Sequence, residues 1–355
     1  MSATGRLFEA AVELLKQLIA TPSVSGEEDR TAGIIEAFLK EKGKSPCRKL
    51  NNIWCVSDNS HENAPVILLN SHHDTVKASG KWSHDPCQPV VQGDYLYGLG
   101  SNDAGASVVS LLAAYLHLSS QPGLPYNLII AITAEEETSG ANGITCIMEE
   151  LGRIDLAVVG EPSEMQMAVA EKGLVVLDCV AEGKAGHAAR DEGINAIYAA
   201  LPDIEFIRKH HFPRSSDLLG PVKMTVTQIN SGHQHNVVPA RCEFVVDIRT
   251  NEHYSNREIV SYLQQHLQSR VEPRSVRLNS SNIPLDHPIV KRGVEMGLKH
   301  YGSPTLSDQA LMDFTSIKIG PGKSSRSHTA DEFILLSEIE QGIDTYIKLL
   351  TDLQI

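Results

Sequence analysis

Short, continuous apolar segments alternate with segments of helical periodicity before residue 160. The apolar segments cover residues 65–70, 127–132 and 156–159, and their length is that of a strand. A strand that is apolar on both faces is typical of a parallel sheet covered by helices on both sides. Residues 7–20 and 106–118 carry the apolar periodicity of such helices. The pattern therefore predicts an α/β fold with a largely parallel sheet.

Local signals mark where the first two helices end and begin. Thr21 and Pro22 follow the first periodic segment and predict its end. Ser25 is followed three residues later by Glu28, which is the spacing of a capping box. We therefore expect these two side chains to open the second helix.

The character of the sequence changes near residue 174. Three predicted strands cover residues 174–180, 223–229 and 242–248, and the last two alternate as in a sheet with one exposed face. Predicted helices cover residues 194–210 and 255–268. These are the first five elements of the order β-α-β-β-α-β, which predicts an inserted, ferredoxin-like α+β domain.

After residue 287, the sequence again has the alternating helix and strand pattern seen before residue 160. It predicts a helix, a strand and a helix at residues 288–300, 316–320 and 337–353. We therefore predict a discontinuous catalytic domain and one insertion. The catalytic domain would comprise residues 1–173 and 287–355, and the insertion residues 174–286.

Length and charge limit the classes of function. A chain of 355 residues exceeds the usual size of one domain, so two domains are expected. The net charge of −13 disfavours a nucleic-acid binder, which would concentrate Lys and Arg. No apolar run approaches the roughly 20 residues that span a bilayer, and residues 1–9 lack the pattern of a secretory signal. We predict a cytoplasmic protein with no nucleic-acid or membrane partner.

Polar residues follow the predicted strands where ligands bind in open α/β sheets. His72 and Asp74 follow the first strand, and residues two apart in extended chain point the same way. Asp74 could then hold the His72 imidazole in the tautomer that a metal needs, while His73 would face elsewhere. Taken alone, these residues could equally form a polar loop.

Carboxylates follow two further strands. Residues 135–137 are three adjacent glutamates after residues 127–132, and Glu161 follows residues 156–159. Adjacent carboxylates repel one another unless cations or protons compensate, which favours a metal site. A solvated acidic turn is the alternative.

Asp103 and His328 lie in glycine-rich segments. The Gly98-Leu99-Gly100 pattern before Asp103 could indicate a dinucleotide site, but the third glycine is replaced by Asp103 and no clear strand precedes it. Asp103 is then either a metal ligand or a helix cap. His328 follows a turn-rich segment and could instead be a structural or exposed histidine.

The candidate residues together indicate a metal site more specifically than any one of them does alone. Two imidazoles and three carboxylates suit zinc, and one shared carboxylate would let five side chains hold two ions. The six cysteines include no pair at two-residue spacing, which argues against a zinc knuckle or a redox pair.

The motifs resemble, in order, those of the dinuclear-zinc family that includes acetylornithine deacetylase, succinyl-diaminopimelate desuccinylase, aminoacylases and glutamate carboxypeptidase. The matching segments are Ser71 to Val76, Gly98 to Asp103, Glu135 to Glu137, Gly160 to Ser163, Gly186 to Ala188, and Gly320 to Gly322 ahead of Ser327 and His328. The sequence departs from the family pattern at Glu135, where Asp is frequent, and at Ala104 and Gly105, where a lysine is common.

The resemblance implies the metal ligands. His72 and Glu161 would complete one zinc site, and Glu137 and His328 the other. Asp103 would bridge two Zn²⁺ ions, for which Co²⁺ could substitute.

The resemblance also implies roles for five other residues. Glu136 would be the general base, and Asp74 would orient His72. His187 of the insertion, a lid and dimerisation domain, would reach the partner subunit's active site in a homodimer. Asn236 and Arg249 match positions of substrate contact, and an arginine can grip an α-carboxylate through two hydrogen bonds. Without the resemblance, these last three residues could be ordinary surface residues.

We predict a metal-dependent amidohydrolase that acts on a small N-acyl amino acid. The motifs look closest to acetylornithine deacetylase, so N-acetyl-ornithine or N-succinyl-ornithine in arginine biosynthesis is the leading substrate. A dipeptidase, a carboxypeptidase or a succinyl-diaminopimelate desuccinylase with the same metal site is the alternative. A catalytically silent binding protein of the same fold is the non-enzyme alternative.

Overall fold

A computed structural model describes residues 3–58, 61–190 and 192–355 of the chain. Met1 and Ser2, the start of the segment that lacks a signal pattern, lie outside these residues. The helices are α1 Ala3–Ile19, α2 Asp29–Glu41, α3 Ala106–Ser119, α4 Met148–Leu151, α5 Ala196–Lys209, α6 Asn256–His266, α7 Pro288–Glu295 and α8 Leu336–Leu350.

The strands of the described residues are numbered in chain order. They are β1 Cys47–Lys49, β2 Asn52–Val56, β3 Val66–His72, β4 Val90–Gln92, β5 Tyr95–Tyr97, β6 Asn127–Thr133, β7 Leu156–Val159, β8 Met167–Glu171, β9 Gly173–Glu182, β10 Gly186–His187, β11 Lys223–Ser231, β12 Val237–Val238, β13 Arg241–Thr250, β14 Arg270–Pro273, β15 Ser281–Asn282, β16 His300–Ser303, β17 Ser316–Lys318 and β18 Phe333–Leu335.

The chain forms two compact units. The first consists of Met1–Val169, Ile283–Tyr301 and Ser307–Ile355, and the second of Ala170–Asn282 and Gly302–Leu306.

The first unit contains a central sheet with the strand order β1-β2-β6-β3-β7-β17-β8. Its middle strands β6, β3, β7 and β17 pair in parallel, and the flanking pairs β1–β2, β2–β6 and β17–β8 are antiparallel. The predicted α/β fold with a largely parallel central sheet is confirmed.

The continuous apolar character of the middle strands reflects burial on both faces. Leu68 and Ile129 pack on one side of the sheet in a cluster with Ile144 and Ile147. Helix α3 contacts β3 and β6 and buries most of its length, because its Val, Leu and Ala side chains surround the whole helix. Each fully buried Leu or Ile side chain stabilises such a core by roughly 1.5–3 kcal/mol.

The second unit contains an antiparallel sheet with the order β11-β13-β9-β14. Along the chain, its main elements run β9-α5-β11-β13-α6-β14, which is the predicted ferredoxin-like order. Alternate residues of β13, such as Phe244 and Val246, are buried in a core that includes residues of α5 and α6. The short strands β10 and β12 form a separate ribbon.

Two local predictions are wrong. The helix predicted at residues 288–300 ends at Glu295, because Gly297 takes a positive φ of 86° and the Leu298 N–H bonds back to the Gly293 carbonyl. The capping box of Ser25 and Glu28 is absent, because α2 begins without a side-chain cap bond. Among the described helices, none combines the length and apolar composition that a bilayer crossing requires.

Candidate metal centre

The parallel strands bring three polar segments to one edge of the central sheet. His72, the last residue of β3, pairs with Thr133, the last residue of β6. Asn70 of β3 pairs with Val159, the last residue of β7. The residues that follow β6 and β7 include Glu137 and Glu161. The carboxyl ends of these strands therefore place predicted ligands from three segments side by side.

Asp103 lies between the two predicted histidine ligands. Its Oδ1 is 3.4 Å from His72 Nε2, and its Oδ2 is 3.5 Å from His328 Nε2. Glu161 Oε1 is 3.6 Å from His72 Nε2, and Glu137 Oε2 is 3.0 Å from His328 Nε2. The five side chains thus form two groups that share Asp103.

The arrangement fits two metal ions. His72 Nε2 and Glu161 Oε1 are buried, and neither atom has a hydrogen-bond partner among the described residues. Atoms that coordinate zinc at about 2.0–2.1 Å in a tetrahedron lie about 3.3 Å apart, close to the distances around His72. Two sets of three side chains place ligand atoms within 4.8 Å of one another, namely His72, Asp103 and Glu137, and His72, Glu136 and Glu161. Both sets contain His72 and neither contains His328, which lies 3.5 Å from Asp103 and 3.0 Å from Glu137.

The close carboxylates of this site also favour the binding of cations. Burial, reinforced by neighbouring carboxylates, raises the pKa of Glu136 and of Glu161 well above the usual value. Burial lowers the pKa of His72, but the charges of Glu161 and Glu136 outweigh it and the pKa is raised well above the usual value. Bound cations would relieve the repulsion among these carboxylates.

Asp74 supports the predicted metal ligands through hydrogen bonds. His72 Nδ1 lies 3.0 Å from the Asp74 carbonyl oxygen and 3.3 Å from Asp74 Oδ1. A proton on Nδ1 leaves Nε2 free for a metal. The Asp74 carboxylate also accepts the backbone N–H groups of Glu136 and Glu137, each at 3.1 Å, and the Ser25 hydroxyl at 2.7 Å.

The bonds to Asp74 stabilise its charged form. Burial raises the pKa of Asp74, but the bonds to His72 and Ser25 and the charge of His72 lower it to about 2. Ser25 is thus a partner of this site and no helix cap. Glu28 likewise accepts bonds from the Asn51 side chain and from the backbone of Glu135.

Glu136 lies beside the group and has the properties of a proton acceptor. Its Oε2 is 3.9 Å from His72 Nε2, and its side chain is 14% exposed. A carboxylate beside predicted metal ligands can accept a proton and return it. The general-base role of Glu136 stays a prediction.

His73 faces away from the metal side chains, as expected from the alternation along β3. Its Nδ1 lies 2.9 Å from Thr31 Oγ1, and its Nε2 lies 2.8 Å from the Asn51 carbonyl oxygen. Burial lowers the pKa of His73 to about 4, so the ring is neutral at neutral pH.

Sequence reasoning missed several residues that pack around the centre. Asp308 accepts the Thr133 hydroxyl at 2.7 Å, and Glu332 accepts backbone N–H groups of the Asp103 segment. A Cβ added to Gly320 would lie 2.5 Å from the Glu161 carbonyl oxygen, so only glycine fits there. Glu332 lies four residues after His328 in the sequence, but nothing around it indicates that it contacts the Asp103 segment.

His187, Asn236 and Arg249 belong to the second unit. His187 lies on the β10–β12 ribbon, where the Ala188 N–H donates to the Asn236 carbonyl. The Arg249 guanidinium donates to both carboxylate oxygens of Asp247, at 2.9 and 3.1 Å. The guanidinium fork predicted to bind substrate is therefore engaged by a neighbour on the same strand face.

The chain matches a known protein family. The sequence pattern of peptidase family M20/M25/M40 matches residues 68–352. The succinyl-diaminopimelate desuccinylase of Xylella fastidiosa (strain M12) is 29% identical over 277 residues, which cover 72% of each chain. The acetylornithine deacetylase of Proteus mirabilis (strain HI4320) is 27% identical over 362 residues and 93% of each chain.

A solved structure shows the same fold. The YXEP protein of Bacillus subtilis, a dinuclear metal binding peptidase of the M20 family, superimposes with a TM-score of 0.73 at 15% identity and covers 98% of both chains. The predicted family resemblance is confirmed. The chain belongs to peptidase family M20/M25/M40 and is a metal-dependent amidohydrolase.

Proposed function

We propose that this protein uses two Zn²⁺ ions to hydrolyse the amide bond of an N-acyl amino acid, with N-acetyl-ornithine or N-succinyl-ornithine as the substrate. The observation that carries the proposal is the position of Asp103, whose two oxygens face His72 and His328 at 3.4 and 3.5 Å. Glu136 lies beside this pair and supplies the remaining group that amide hydrolysis needs.

Each side chain of the centre has one role in the proposal. His72 and Glu161 would hold one ion, Glu137 and His328 would hold the other, and Asp103 would be shared between them. When bound, zinc polarises a carbonyl group and lowers the pKa of water toward about 7. Co²⁺ has similar ligand preferences and could replace it.

The chain's own groups move the proton. A Glu136 carboxylate oxygen takes a proton from the attacking water and returns it to the departing amine nitrogen. Asp74 keeps the Glu136 backbone in place through the bond to its N–H. His187 is proposed to stabilise the charge that develops on the amide oxygen in the partner subunit's site.

The choice of ornithine rests on similarity. The acetylornithine deacetylase of Proteus mirabilis matches 93% of both chains, which supports a role in arginine biosynthesis. Asn236 and Arg249 are proposed to contact the substrate, and Arg249 would exchange Asp247 for the α-carboxylate. The cytoplasmic location stays a prediction.

The desuccinylase of Xylella fastidiosa is as strong a relative and favours succinyl-diaminopimelate as a second candidate substrate. A dipeptidase or carboxypeptidase would use the same centre. A catalytically silent protein would bind metal and cleave none of these compounds.

A substrate panel separates these functions. The zinc-loaded and cobalt-loaded protein would be tested on acetyl-ornithine, succinyl-ornithine, acetyl-citrulline, succinyl-diaminopimelate and dipeptides. We expect kcat/KM for an acyl-ornithine to exceed that for dipeptides by at least about 10-fold, since even one methylene group in a binding pocket gives roughly 10- to 200-fold discrimination. Higher activity on dipeptides, or on succinyl-diaminopimelate, would replace the proposed substrate.

We also propose that the protein forms a homodimer through the second unit. Helix α5 exposes Tyr198 (71%) and Leu201 (52%), and the neighbouring edge strand β11 exposes Ile229 (52%). Exposed apolar side chains next to an open strand edge are typical of a self-complementary interface.

The double substitution Tyr198→Asp and Leu201→Asp is expected to convert a dimer into monomers, as measured by analytical ultracentrifugation, because it places charges in the interface. Val294→Asp on α7, another half-exposed apolar position, is the matched control and should leave the dimer intact. A wild-type monomer, or a double variant that stays dimeric, would contradict this interface.

A further inference from the structure

Glu332 lies under the segment that carries Asp103 and is buried, with 2% of its surface exposed. Its Oε1 accepts the backbone N–H groups of Asn102 at 2.8 Å and Asp103 at 3.0 Å. Its Oε2 accepts the Gly100 N–H at 3.1 Å. The Glu332 carbonyl oxygen also accepts the Gly98 N–H at 3.0 Å. One residue therefore receives four N–H groups from residues 98–103.

The same segment is bound to the chain ahead of His328. Asn102 Oδ1 accepts the Lys323 N–H at 2.9 Å, and Asn102 Nδ2 donates to the Lys323 carbonyl at 3.1 Å. Gly322 makes this approach possible, because a Cβ there would lie 2.3 Å from Asn102 Oδ1. Residues 98–103 and residues 322–332 are thus joined at both sides of His328.

The other half of the centre has separate supports. His72 ends β3 and is fixed through Nδ1 by the Asp74 carbonyl oxygen. Glu161 follows β7 and packs against Gly320. These two side chains depend on the central sheet, whereas the distance between Asp103 and His328 depends on the bonds of Glu332 and Asn102.

We propose that Glu332 is a positioning residue that sets Asp103 relative to His328 and so controls occupancy of the metal position formed by Glu137 and His328. This inference rests on the proposed dinuclear metal centre. A carboxyl group is suited to the task because both of its oxygens can accept hydrogen bonds, and the two oxygens accept three N–H groups here. An amide side chain has only one oxygen and turns an NH₂ group toward a donor.

The test is metal binding by Glu332→Gln, measured by Co²⁺ titration of the full chain with visible absorption and by zinc content after dialysis. Wild-type protein should bind two ions per chain. The variant should bind the ion at Glu137 and His328 about 10- to 100-fold more weakly, as is typical when an outer partner of a metal ligand is lost. The ion at His72 and Glu161 should be weakened less, because the central sheet holds these two side chains. A merely structural role would lower thermal stability without separating the two ions.

Asp203→Asn is the matched control, because the buried Asp203 carboxylate also accepts two backbone N–H groups, those of Gln268 and Ser269, in the second unit. It should lower the melting temperature while both ions bind normally. If Glu332→Gln does not fold, Glu332→Asp, which retracts the carboxylate by one methylene, is measured instead and should also weaken the ion at Glu137 and His328.

Two results distinguish the possible failures. Wild-type affinity for both ions in the folded Glu332 variant, or an equal effect in Asp203→Asn, would overturn the positioning role. A wild-type protein that binds fewer than two ions would instead overturn the proposed centre itself.

Discussion

Replacing Glu136 by glutamine is expected to lower kcat by roughly 10²- to 10⁴-fold, the usual contribution of a general base, while both metal ions stay bound. Glutamine keeps the shape of the side chain but cannot take a proton from water. Glu136 Oε2 lies 3.9 Å from His72 Nε2, farther than the atoms of Asp103 and Glu161. Steady-state kinetics and zinc content of the purified variant measure the two effects.

The neighbouring Glu135 provides a control for this experiment. The Glu135 carboxylate accepts hydrogen bonds from the backbone N–H and the side chain of Asn142. Among the described residues, it makes no hydrogen bond to a predicted metal ligand. Glu135→Gln should therefore retain most activity. Loss of a metal ion from Glu136→Gln would show that Glu136 is a ligand, as its grouping with His72 and Glu161 allows. Near-normal kcat would exclude it as the base.

Replacing Asp103 by alanine is expected to weaken both ions by more than about 100-fold, because even partners outside the ligand set contribute 10- to 100-fold. Asp103 has oxygens within 3.5 Å of both His72 Nε2 and His328 Nε2. Among the described residues, no other predicted ligand approaches both histidines this closely. Zinc content and Co²⁺ titration measure the loss, and amide hydrolysis should fall with it.

Asp331→Ala serves as the control for Asp103. Asp331 lies three residues after His328, and its carboxylate accepts the backbone N–H and the hydroxyl of Ser83. It should keep both ions. If Asp103→Ala retained two ions per chain at wild-type affinity, the shared carboxylate would not bridge them.

The sequence was sufficient for the parts of the fold that depend on continuous burial. Strands β3, β6 and β7 are buried along nearly their whole length, so their apolar runs were visible without a structure. Since parallel strands end at one edge, His72, Glu137 and Glu161 could be predicted as neighbours.

The contacts around these residues could not be predicted, because they join positions far apart in the chain. Ser25 and Glu28 have the spacing of a cap, yet Ser25 bonds Asp74, 49 residues away. Glu332 reaches a segment some 230 residues earlier, and no pattern near it signals that partner. The pairing of Arg249 with Asp247 could have been predicted from the sequence, since residues two apart in a strand share one face.

The bonds of Asp74 have a consequence for any attempt to alter this protein. One carboxylate holds the His72 ring and also the backbone that presents Glu136 and Glu137. In the proposed function, metal binding and proton transfer are therefore linked at this residue, and a change there is expected to alter both at once. Redesign of the proposed metal centre alone would have to begin at Glu161, which follows β7 and not the segment that bears Glu136.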